Sequence, residues 1–128
     1  MENNFGTLNK FLRTGLSGTL SKSATICYII NIRMIVSMIQ ILFEIPDIDN
    51  IKEKRRVIKS IMEKMQRRYR LSAAEVDLQD SLSFSQIGGA LVSNSRSHGE
   101  TVLQKAFNMI EKETPVRIQD MKIHSEEF

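Results

Sequence analysis

A single cysteine, Cys27, and two histidines, His98 and His124, make up the sequence's whole supply of thiol and imidazole ligands. One cysteine cannot close an internal disulfide, and these three residues lack the paired spacing that structural zinc sites use. Neither a disulfide framework nor a metal centre is expected. A reducing, cytoplasmic setting follows as the default. Long uninterrupted apolar runs are lacking as well. The most hydrophobic stretch, Ala24 to Ile45, is broken by Asn31, Arg33 and Gln40. An arginine near the centre of a span costs about 2.5–3.5 kcal/mol on insertion scales, so no transmembrane helix and no membrane partner are expected. Ala24 to Ile30 makes at best a short secretory core without an obvious small-residue cleavage site.

What the sequence does have is the composition of a globular domain: 128 residues, 41% apolar and 26% charged. That suffices for one hydrophobic core plus a tail. The net charge of +3 is unevenly spread. Nine of the 18 basic residues lie between Lys52 and Arg70 against only Glu53 and Glu63, so this segment carries 9 − 2 = +7. The remainder is net acidic, and such a concentration points to an anionic partner.

Residues 1–33 differ from the rest. They hold four basic residues, one acid (Glu2), and many Ser, Thr, Gly and Asn. Phe5, Leu8, Leu12 and Leu16 suit one side of a short helix, but Gly15 and Gly18 each weaken it by about 1 kcal/mol relative to alanine. A poorly ordered basic extension is expected. A targeting peptide, an unstructured extension and a leader read from a mis-called start all fit the composition. Met34, directly before the first strand pattern, favours the extension or the mis-called start.

Regular periodicity begins at Met34. Ile35, Ile39, Ile41, Phe43 and Ile45 alternate toward a core up to Pro46, predicting a strand. Asn50 and Glu53 form a capping box, after which Ile51, Val57, Ile58, Ile61, Met62, Met65 and Tyr69 recur at helical spacing. Ser72–Asp80 reads as a strand with Ala74, Val76 and Leu78 inward and Ala73, Glu75, Asp77 and Gln79 on a polar side. Phe84–Asn94 reads as its hairpin partner, with Gly88-Gly89 marking a bulge or a close backbone approach. Ser97 and Glu100 form a second capping box, opening a helix that buries Val102, Leu103, Ala106, Phe107 and Ile110 and is closed by Pro115. Val116, Ile118, Met121 and Ile123 give a last strand whose phase slips near Asp120. The order βαββαβ predicts an α+β, ferredoxin-like fold over residues 34–124: an antiparallel four-stranded sheet, two helices on one face, and a tail at 125–128.

Several of these segments together resemble the bacterial YlxP-like family, a small domain of unknown function. They are Lys52-Glu53-Lys54-Arg55-Arg56-Val57, Ala74-Glu75-Val76-Asp77, Gln79-Asp80, and Val92-Ser93-Asn94 with Arg96 and His98. The resemblance runs from Met34 to about Ile123 and implies a ferredoxin-like domain. It also implies an association with translation, because such proteins are commonly encoded near ribosome-maturation factors, including ribosome-binding factor A. Typical members start near the position of Met34. Ser95 stands where members often carry a charge, which weakens a charge-based role there.

At 100° per residue, Lys52, Arg55, Arg56, Lys59, Arg67 and Arg70 fall between about 40° and 160°, away from the apolar stripe. This outward basic stripe suits a phosphate backbone, with an ordinary solvated face as the alternative. Lys54 and Arg68 fall on the apolar side, which predicts snorkelling or pairing with an acid such as Glu44 or Asp47. Arg96 and His98, at a helix N-terminus, extend the candidate RNA- or anion-binding set, although the serines and Asn94 there also serve simply to close the turn. On the open sheet face, Met38, Leu42, Glu75 and Asp77 suit a protein interface or a homodimer better than base stacking, since carboxylates repel phosphates. Glu75, Asp77 and Asp80 make a weak magnesium pattern that strand alternation divides. No nucleophile–base–orienter set is visible and no cofactor is implied. The expectation is a non-enzymatic accessory protein of translation that binds ribosomal RNA or a ribosomal subunit through the basic helix. The alternative is a protein-interaction module using the sheet face.

Overall fold

The computed structural model describes residues 33–128, and the expectations for the basic extension concern residues outside that range apart from Arg33. Six elements follow in chain order: β1 (Ile35–Glu44), α1 (Ile51–Tyr69), β2 (Ser72–Asp77), β3 (Phe84–Ser93), α2 (Arg96–Glu113) and β4 (Arg117–Glu127). The strands form one antiparallel sheet in the order β2-β3-β1-β4, the ferredoxin-like arrangement. Among the described residues, no helix is long and apolar enough to cross a membrane.

Alternation in β1 sets the layers. Ile35, Ile39, Ile41, Phe43 and Ile45 are buried, as their spacing predicts. Ile39, Ile41, Phe43 and Ile45 pack with Ile58, Ile61 and Met65 of α1, Ile87 of β3, and Leu103, Ala106, Phe107 and Ile110 of α2 in one core. Helix α1 starts where Asn50 Oδ1 accepts from the Glu53 N–H at 2.9 Å, while Glu53 Oε2 reaches back to the Asp49 N–H at 3.4 Å. It ends at Arg70, in the left-handed region at φ 54°, where the Leu71 N–H turns back to the Met65 carbonyl at 3.3 Å. Gly89 serves the close approach predicted for the glycine pair. A Cβ there would lie 2.8 Å from Met65 Cε and 3.3 Å from Ile39 Cγ2, so a larger residue would require the Met65 side chain of α1 to shift.

Three boundaries differ from the sequence reading. Strand β2 ends at Asp77 instead of Asp80, where Leu78 at φ 63° closes it after a bulge between Glu75 and Asp77. Helix α2 is capped two residues earlier than predicted: Ser95 Oγ accepts from the His98 N–H at 3.3 Å, and Glu100 accepts instead from Ser125 Oγ at 3.0 Å. Residues 125–127 are not a tail. They continue β4 along β1 as far as the Ile35↔Glu127 pair, because Ser125 is buried and shares a 2.9 Å hydrogen bond with Ser37. The phase slip near Asp120 is real: the β1–β4 register shifts between Leu42 and Phe43, opposite Asp120 and Ile118.

The two helices are tied by one ionic cluster. Arg68 Nη1 donates to both Glu113 oxygens, at 2.9 and 2.7 Å, and Lys64 Nζ lies 3.6 Å from the same carboxylate. The Arg68 hydrogen bond holds the Glu113 carboxyl below its usual range, and the carboxylate in turn raises Arg68. A depressed carboxylate pKa adds stability that is present above the unfolded value and lost as pH falls through the folded one. Both side chains are solvent-exposed, so the contribution is small. Urea titrations of wild type and Glu113→Gln should differ slightly near pH 7 and converge near pH 3. A gap that persists in acid would assign the difference to packing.

Candidate nucleic-acid interface

The stripe is built by the helix itself. Burial of Ile58, Ile61 and Met65 against the sheet fixes the rotation of α1 and turns the opposite side outward. Lys52, Arg55, Arg56, Lys59, Arg67 and Arg70 are all exposed there. Among the described residues none of the six forms an ion pair. Over the ~27 Å of axis from Lys52 to Arg70, implied by a 1.5 Å rise per residue, their field is opposed within this arc by Glu63 alone. Exposed Lys105 and Lys112 of α2 line a shallow cleft with Tyr69 and the Arg68–Glu113 pair. This places further positive charge beside the helix, which the wheel of α1 alone could not reveal.

The other two predicted cations do not extend the stripe. Arg96 opens α2, and its Nη1 donates to the Ser125 carbonyl at 2.8 Å, so part of the guanidinium is committed to holding β4. His98 is exposed at the same helix start.

The anomalous Lys54 proves to be a structural centre. It is buried at 1% exposure; its Nζ donates to the Leu78 carbonyl at 2.6 Å and to the Ser81 carbonyl, and lies 3.5 Å from Glu75 Oε1. Its acid partner is therefore Glu75, not Glu44 or Asp47. Glu75 also accepts from the buried Ser85 hydroxyl at 2.8 Å.

This pairing corrects the sheet-face assignment. Glu75 opposes Ile87 on the helix side, with Ala73, whereas Ala74 opposes Gly88 and Val76 is 46% exposed. The phase predicted for β2 is thus inverted, and Glu75 is unavailable as an interface residue. After the bulge Asp77 opposes Gln86, whose own partner is Leu42, so Asp77 rejoins Met38 and Leu42 on the open side. The acids of the magnesium pattern are accordingly separated, and among the described residues no group of three His, Cys, Asp or Glu side chains is placed to hold a metal. Along the open side of β4, His124 Nε2 sits 2.7 Å from Glu126 Oε1 and holds that carboxyl below its usual range.

Comparison with known proteins finds two sequence matches. The sequence profile of a family described as "Protein of unknown function (DUF503)" matches residues 36–123. The chain is also 36% identical over 65 residues to "Uncharacterized protein YlxP" of Bacillus subtilis (strain 168), an alignment covering 51% of this chain and 71% of that protein.

Proposed function

This chain belongs to the DUF503, or YlxP-like, family, and from the geometry of its first helix we propose that it is a non-enzymatic accessory protein of translation that binds ribosomal RNA. The observation that carries the reading is the exposed row Lys52, Arg55, Arg56, Lys59, Arg67 and Arg70, unpaired among the described residues. Cations left in water by the fold can replace the counterions of a phosphate backbone without any rearrangement of the core. Contacts of this kind position a nucleic acid and carry little sequence information, so binding is tolerant of sequence. Lys105 and Lys112 add separate positive charge on the α2 flank, beside the Arg68–Glu113 pair.

Affinity for purified ribosomal RNA should fall with salt by about 0.7 log units per log unit of salt for each single-stranded phosphate neutralised. Replacing Arg55, Arg56 and Lys59 together by glutamine removes up to three such contacts and should flatten the log–log slope by about 2. All three are exposed, so the unfolding midpoint should not move. Filter binding and co-sedimentation with ribosomal subunits across a salt series measure both quantities. Unchanged affinity and slope in the folded triple variant would overturn the assignment.

A further inference from the structure

The open face of the sheet carries a hollow that the basic helix does not explain. Two rows of side chains cross it: Ser72, Ala90, Met38 and His124, then Ala74, Gly88, Gln40 and Lys122. On β2 and β3 these rows are small; on β1 and β4 they are long. The step encloses a groove of about 430 Å³, within the range of small-molecule pockets. Gly88 keeps its floor low, since a Cβ there would meet Val76 Cγ1 at 3.0 Å. A glycine inside a strand leaves bare peptide planes that another flat group can approach closely.

The taller wall is polar at its outer edge. Lys122 is exposed and, among the described residues, forms no ion pair, whereas the His124 ring is already hydrogen-bonded to Glu126. Gln40 opposes Lys122 in the register and adds an exposed amide. Asp120 stands in the next row beyond Lys122, opposite Leu42, so an anionic group beside Lys122 has to lie on its His124 side, away from that carboxylate.

We propose that this hollow binds a small planar molecule with one anionic group, its ring over Ala74, Gly88 and Ala90 and its charge beside Lys122 and Gln40. The site lies on the side of the sheet away from the helices and stands independently of RNA binding by α1.

Two probes sharing one ring system, 2-naphthoate and uncharged 2-naphthalenemethanol, test it by amide chemical shifts of the full chain. Naphthoate should shift Ala74, Gly88, Ala90 and Lys122 along a single saturation curve and bind about two- to fivefold more tightly than the alcohol, as expected for an exposed charge pair. Lys122→Gln should erase that difference. Ala90→Leu, or Ala74→Leu should the first disturb the fold, should abolish binding of both probes. Shifts scattered away from the hollow, equal affinity of the two probes for wild type, or undiminished binding by a folded leucine variant would each overturn the proposal. The same shifts produced merely by concentrating the protein would give the face to a second copy and overturn it as well.

Discussion

Lys54→Ala is expected to destabilise the protein by about 3–5 kcal/mol, the range for removing one partner of a buried charge pair. The substitution leaves the Leu78 and Ser81 carbonyls without their shared donor and Glu75 with only the Ser85 hydroxyl. It also opens a cavity beneath the β2–β3 connection. Leu78 is held in the left-handed region at φ 63° partly by this lysine, and such a conformation costs on the order of 1–3 kcal/mol unless its surroundings enforce it. Lys54→Met keeps most of the stem volume and should lose less. Lys54→Met combined with Glu75→Met should recover part of the deficit, because an apolar pair needs no counter-charge. Urea denaturation supplies the energies, and amide exchange across residues 78–83 should accelerate in both single variants. If Lys54→Met unfolds within about 0.5 kcal/mol of wild type, the lysine is a passive passenger and the ordering of the hairpin loop has another cause.

That pair also shows where the sequence was legible and where it stopped being so. The isoleucines and Phe43 at odd positions of β1 announce themselves as a β-branched alternation ending at Pro46, and the helical stripe of α1 through a strong contrast between its faces. So do the outward basic residues, which are fixed once Ile58, Ile61 and Met65 are placed inward. Strand β2 has no such contrast: Ala73 and Ala74 are equivalent to a period of two, and Val76 looks more buriable than Glu75. The inversion is decided by Lys54, which needs an acid on the helix side. Lys54 on an apolar stripe was visible alone, whereas Glu75 looked ordinary on a side shared with Asp77; the signal lay in seeking an acid for the misplaced lysine. The offset cap of α2 has a comparable origin. Ser95 and Ser97 are equally good N-caps locally, and packing of Gly99 against Ser37 accompanies the earlier start. The hollow on the open face was likewise out of reach, since it exists only when Ala74, Gly88 and Ala90 share the two rows with Lys122 and His124.

Gly99→Ala should destabilise by about 1–3 kcal/mol although alanine is the better helix former. Gly99 is buried in the first turns of α2, and a Cβ there would lie 2.2 Å from Ser37 Oγ and 2.9 Å from Ser37 Cβ. Ser37 cannot yield easily. It is fully buried and shares a hydrogen bond with Ser125, which donates to Glu100, while Arg96 grips the Ser125 carbonyl. This network fastens the start of α2 to β1 and β4, so the added methyl must push the helix off the sheet. The propensity gain of roughly 0.8–1.0 kcal/mol works in the opposite direction. A double-mutant cycle with Ser37→Gly separates the two effects, because that change removes both atoms the methyl would strike. In the Ser37→Gly background, Gly99→Ala should be neutral or stabilising, giving a coupling energy of about 1–3 kcal/mol. An additive cycle would mean that the helix start relaxes freely and that the serine network does not fix its distance from the sheet.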